Sequence, residues 1–172
     1  MAIPSDSEDL PVPLAADLRA AGLRWQPAAG DRFVVTDGTL DGDVFTVSDM
    51  VVEVIGEGSG GQVLGFNGTT EWALDSVPLE ATLWLPREGQ LRRLLGRSFR
   101  RLEVHEGRFH VTVANVPGTA VTDAGPQDAE PQNDGPGMTG GGGEMPEQPF
   151  EGGTATEAYG RALLFVIGRA LG

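Results

Sequence analysis

Glu103, His105 and His110 bring a carboxylate and both imidazoles of the chain into the short stretch "LEVHEGRFH". Two imidazoles and one carboxylate are a zinc-type ligand set. The alternating pattern puts all three on one side of an expected hairpin. Arg101 and Arg108 fall on that same side and oppose a bound cation, so a polar, water-facing surface is the other reading of these residues. Paired carboxylates occur at Asp41 and Asp43 and at Glu71 and Asp75. General acid–base chemistry needs a cleft that raises one pKa of such a pair. The first pair sits in "TLDGDVF", where Asp and Gly are expected for turn geometry alone, and the second shares a face only if that stretch is helical.

Two of the three tryptophans lie in "FNGTTEWALDSVPLEATLWLP". Asn67, Thr69, Thr70 and Glu71 gather polar groups beside Trp72, which makes these five residues a candidate binding loop. Asn67-Gly68 is a strong turn signal. Strict hairpin pairing around it would set Leu64 opposite Glu71, which conflicts with one buried face. Trp72 and Leu74 are expected to anchor the core from one side, and Leu83, Trp84 and Leu85 to enter the next helix from the other.

Arg92, Arg93, Arg97, Arg100 and Arg101 form a local positive field on a chain of net charge −13. The field could meet a phosphate, an acidic partner or the chain's own acidic stretch; a solvated helix face is the alternative. Arg92, Arg93 and Arg97 are the candidate binding residues here.

Much chemistry is excluded. The chain has no Cys, and all twelve basic residues are Arg. Thiolate nucleophiles, disulfides, Schiff-base lysines and lysine-dependent phosphate loops are therefore impossible. Ser59 in "GEGSGG" lacks the first Gly of a nucleophile elbow, and that stretch precedes a strand where a dinucleotide fold requires a helix. Gly65 and Glu71 have the first spacing of the Nudix pyrophosphatase box, but Arg87-Glu88 comes too late and no carboxylate pair follows. No cofactor or metal is expected. The acidic balance argues against general nucleic-acid binding.

The elements that would position these residues are short. "PLAADLRAAGLRW" reads as a helix with Pro13 in its first turn, Leu14, Leu18 and Ala21 on one face, and Gly22 as a left-handed cap that folds Leu23 back on Leu18. "RFVV", "DVFTVSD", "MVVEVI" and "QVLGF" read as strands of an antiparallel meander. "LPREGQLRRLLG" reads as a helix started by Pro86, faced by Leu91, Leu94 and Leu95, and stopped by Gly96. "RLEVHEGRFHVTV" is the best hairpin. A turn at Glu106-Gly107 pairs Val104 with Phe109 and Leu102 with Val111 on one face, and Glu103 with His110 and Arg101 with Thr112 on the other. That turn demands positive φ at Glu106.

Residues 1–12 read as a flexible acidic tail and 13–114 as the core. Residues 115–153, with seven carboxylates, no Arg and a run of four glycines, read as a disordered Gly/Pro-rich linker. Residues 154–172 read as a helix docking back on the core, with Thr154 or Thr156 as its N-cap. The fold expected is α+β: one antiparallel sheet of about five or six strands with two or three helices mainly on one face. No secretory signal and no membrane span is expected, which places the chain in the cytoplasm.

"DLRAAGLRWQPAAGDRFVV", "VFTVSDMVVEV", "GFNGTTEWALDSV" and "LWLPREGQLRRLLG" together resemble small actinobacterial proteins labelled pilus assembly protein CpaE. The likeness covers residues 14–113 and the last helix, and leaves out the linker. It implies a role in tight-adherence pilus assembly beside a ParA/MinD-like ATPase. With no lysine, no ATP-binding residue of that ATPase carries over. The functional expectation is a non-enzymatic cytoplasmic binding or accessory protein with a protein partner; the alternative is a small hydrolase or ligand-binding enzyme using the "NGTTEW" loop.

Overall fold

The structure is a computed structural model and describes residues 9–36, 43–47, 53–55, 63–65, 76–114, 123–124 and 146–170. The elements in chain order are α1 (Val12–Ala20), β1 (Arg24–Trp25), β2 (Arg32–Val35), β3 (Val44–Thr46), β4 (Glu53–Ile55), β5 (Val63–Gly65), β6 (Ser76–Pro78), β7 (Thr82–Trp84), α2 (Glu88–Leu95), β8 (Phe99–His105), β9 (Arg108–Ala114), β10 (Asp123–Ala124), β11 (Glu147–Gly152) and α3 (Ala155–Ala170). Single 3-10 turns precede β7 and β8, at Leu79–Ala81 and Gly96–Ser98. The class is α+β, and no helix among the described residues is long and apolar enough to cross a membrane.

Among the described residues the strands are not joined into one sheet but divide into three antiparallel sheets, ordered β3-β2-β7, β4-β5-β6 and β11-β9-β8, with a parallel pairing of β1 and β10. The punctuating glycines mark where the chain turns but not which neighbour it pairs with next. β7 takes the second edge of β2, setting Leu83 opposite Val34 and Trp84 opposite Phe33. β5 pairs with β6, so the residue opposite Leu64 in the register is Val77. Pro78 and Pro149 both lie on edge strands, where a missing N–H costs no ladder bond.

Local signals were accurate where they were self-contained. α1 ends in a left-handed cap: Gly22 has φ +102°, its N–H donates to the Arg19 carbonyl at 3.0 Å, and the Leu23 N–H donates to the Leu18 carbonyl at 3.0 Å. Leu18 and Leu23 share the core. The β8–β9 hairpin has the expected register at all four pairs, with Glu106 and Gly107 at φ 52° and 76° as a type I′ turn requires. α3 is capped by Thr154, whose Oγ1 accepts the Glu157 N–H at 3.1 Å, while the Glu157 carboxylate accepts the Gly153 N–H at 2.7 Å.

The two flanking segments need correction. Leu10, expected in a flexible tail, is 1% exposed in the main core, and Asp9 pairs with Arg32 at 2.8 Å. Residues 147–152, expected as linker, form β11 and pair with β9 over six residues. Phe150 anchors that strand, its ring 5.0 Å from Phe165 on α3. An isolated aromatic with two prolines nearby gives little β signal; the strand exists because β9 offers an edge and α3 a surface.

The main core gathers α1, α2, α3, β7 and β9 around Leu18, Leu91, Leu95, Val111, Tyr159 and Leu163. A second cluster holds Phe33, Val35, Val47 and Val77. β2 separates them, Val34 facing the first and its neighbours the second, so "RFVV" is buried on both sides. α3 closes the body by lying on β9, β11, α1 and α2.

Gly152 sits where β11 enters α3, and a Cβ there would fall 2.5 Å from the Ala158 nitrogen and 2.8 Å from the Thr154 oxygen. Backbone cannot step aside as a side chain can. Gly152→Ala should therefore destabilise by about 2 kcal/mol or more. At Gly168 nothing lies within 4 Å, and Ala there should stabilise by up to about 1 kcal/mol through helix propensity. Urea midpoints of the two variants should move in opposite directions.

Candidate functional site

α2 carries the arginine field. Leu91 and Leu95 are buried and Leu94 half-buried, which leaves Arg92 and Arg93 on the outer face. Gly96, at φ +48°, ends the helix, and the turn Gly96–Ser98 delivers Arg97 and Arg100 to the start of β8. The five arginines then part company. Arg101 donates to Glu147 at 2.6 Å and to Glu103 at 2.8 Å, so its charge is met within the fold. Hydrogen bonding to Arg101 holds the exposed Glu103 carboxyl below the ordinary range. Arg92 lies over the Phe99 ring at 4.7 Å and beside the Tyr159 hydroxyl. Arg100 donates to the Arg97 carbonyl at 3.0 Å. The Arg93 and Arg97 guanidinium groups are exposed and have no partner among the described residues.

Of the arginine candidates, then, Arg93 and Arg97 stand free for binding while Arg92 does structural work. Asn67, Thr69, Thr70, Glu71 and Trp72 lie outside the described residues, as do Asp41, Ser59, Leu74 and Asp75. The His105 and His110 rings meet edge to face at 5.5 Å, and Glu103 reaches His105 at 4.0 Å. No group of three among the described residues could hold a metal ion.

Asp31 was not anticipated. It is 3% exposed and forms no ion pair among the described residues. Its Oδ2 accepts the Trp25 indole N–H at 2.9 Å and the Ala28 N–H at 3.0 Å, and its Oδ1 accepts a Gln90 amide N–H at 2.6 Å. Gln90 in turn accepts the Arg87 N–H at 2.9 Å, closing the first turn of α2. In "AAGDRFVV" an Asp after Gly reads as a turn residue. Only Gln90, a polar residue on the inner side of α2, hinted at a buried partner.

The indole fixed by Asp31 lines a cleft of about 920 Å³ between the end of α1, residues 22–28 and the approach to β7. Trp25 is half-buried and lies parallel to the buried Trp84, with 5° between planes and 6.4 Å between centroids. Arg19 stands at the rim, its guanidinium donating to the carbonyls of Thr82 at 3.0 Å and Glu80 at 2.9 Å. The indole N–H of Trp84 is buried in this wall and has no acceptor among the described residues.

Removing the Asp31 carboxylate should strand three donors, the buried Gln90 amide and the half-buried Trp25 indole and Ala28 N–H. Asp31→Ala should cost about 3 kcal/mol or more. Asp31→Asn, though similar in shape, should also destabilise, because one oxygen becomes an N–H₂ facing donors; chemical denaturation measures both.

Tyr159, the single tyrosine, offers a pH test. Burial, and then the Glu88 carboxylate, push its hydroxyl above the ordinary 10.0, while Arg92 pulls the other way. A raised value means that the neutral phenol stabilises the fold fully below the unfolded pKa, and that this contribution disappears as pH rises through the folded one. The midpoint of the phenolate absorbance should lie above pH 10.0, and higher still in Arg92→Leu.

The chain matches no family model, no curated protein and no solved structure.

Proposed function

We propose that this chain is a non-catalytic cytoplasmic accessory protein that docks an acidic protein partner through Arg93 and Arg97, with Arg100 beside them. The observation that supports this is the selective use of arginine. The chain has 25 carboxylates against twelve arginines. Arg32, Arg101, Arg108 and Arg161 each pair with a carboxylate. Arg93, in the last turn of α2, and Arg97, in the 3-10 turn that follows it, have no such pair among the described residues, although both are exposed. An arginine fork recognises carboxylates in a bidentate way that suits an acidic protein surface. The surrounding negative charge disfavours nucleic acid, whose backbone would meet that field over a wider area. The resemblance to proteins labelled CpaE supports placing the partner in pilus assembly.

A labelled oligoglutamate peptide should bind the protein in an anisotropy titration that weakens with added salt. The double reversal Arg93→Glu with Arg97→Glu should weaken it at least about tenfold, equivalent to about 1.4 kcal/mol. Arg101→Gln, whose charge is already met, should change it little. Equal affinity in the doubly reversed protein would reject the docking face. In affinity capture from cells, the pilus reading requires a pilus-assembly component among the proteins lost on that reversal.

A further inference from the structure

We propose that the cleft beside Trp25 is a binding site for a small aromatic anion, a planar ring system carrying a carboxylate, sulfonate or phosphate. This site is separate from the arginine face on α2 and does not depend on it. Its volume, about 920 Å³, is in the range of small-molecule sites. Its floor is apolar, from Ala15, Leu18, Leu23 and Leu83.

Two features choose the ligand. The first is the fixed indole. Trp25 is half-buried, yet its N–H is held from behind at 2.9 Å by a buried carboxylate that also grips α2. The ring is thereby held in place, packed beside Phe33 and parallel to Trp84, where it lines the cleft. A rigid aromatic wall of that kind favours a planar ring. The second is charge. Among the described residues, Arg19 and Arg24 line the cleft against a single carboxylate, Glu80, on a protein whose net charge is −13. Arg19 is anchored by two carbonyls and keeps further donors; Arg24, whose backbone pairs with Asp123 on β10, has no side-chain partner among the described residues. An anionic group on the ring places its charge between these guanidinium groups.

The probe is 1-anilinonaphthalene-8-sulfonate, an aromatic anion whose fluorescence rises in apolar surroundings. Its neutral analogue, N-phenyl-1-naphthylamine, is the comparison. The sulfonate should bind the intact protein at one saturable site and shift the indole N–H resonance of Trp25 or Trp84. Arg24→Glu should raise its Kd at least about tenfold and leave the neutral analogue within about twofold. Trp25→Leu should weaken both, provided near-ultraviolet circular dichroism shows an intact fold; the resonance shifts in the unaltered protein stand without that variant. Unsaturable binding, unshifted Trp25 and Trp84 resonances, or an unchanged Kd in Arg24→Glu would each overturn the proposal. Equal weakening of both probes by Arg24→Glu would overturn the assignment of an anion.

Discussion

A buried carboxylate with no ion pair among the described residues ties the segment after α1, the start of β2 and the first turn of α2 to one another. Taking Asp31 out of water is costly unless its oxygens find donors. They find three, from an indole, a backbone amide and a glutamine side chain. The nearby cation is used elsewhere: Arg32 follows Asp31 in sequence but pairs with Asp9. The backbone of Asp31 adds to this, its N–H donating to the Ala28 carbonyl and its carbonyl accepting the Val47 N–H. One residue therefore sets the turn before β2, the position of β3, the plane of Trp25 and the start of α2. Such a network is stable only when complete, since each lost partner leaves another group buried and unpaired.

What could be read from sequence divides by the distance over which its cause acts. The cap after α1 depends on Gly22 and the residues within five of it. The β8–β9 register depends on alternation across a two-residue turn. Both causes lie inside the segment, and both forms are found. Strand pairing between segments is decided by what else is available, so three short sheets stand where one was expected. β11 is the extreme case, because its own residues barely favour a strand and its partners lie 33 to 43 positions back. Asp31 was hidden for the same reason: Gln90, its buried partner, is 59 residues away.

The arginines show why a charge cluster in sequence is a poor guide to a charge cluster in space. Arg100 and Arg101 are neighbours, yet a bulge between Phe99 and Arg101 on β8 separates their roles. Arg101 joins Glu103 and Glu147, and so helps to clamp β8 and β11 across β9. Exposed pairs of this kind contribute little stability singly. Their effect here is on charge: they neutralise the β-sheet end of the cluster and leave the positive field concentrated at Arg93 and Arg97. Arg92 is removed from that field differently, through its aromatic neighbours Phe99 and Tyr159.

The arginine face and the Trp25 cleft are different surfaces, but they share a support. Gln90 gives its amide N–H to Asp31 and its oxygen to the Arg87 N–H, so the plane of Trp25 and the first turn of α2 are referred to the same carboxylate. A shared support is not in itself communication between sites. Coupling requires an element with two arrangements that a ligand can bias. Asp31, satisfied on both oxygens, is the opposite kind of device, because any second arrangement would break at least one of its three hydrogen bonds. Its role is to make each surface rigid in advance, which lowers the ordering cost that either partner would otherwise meet on binding.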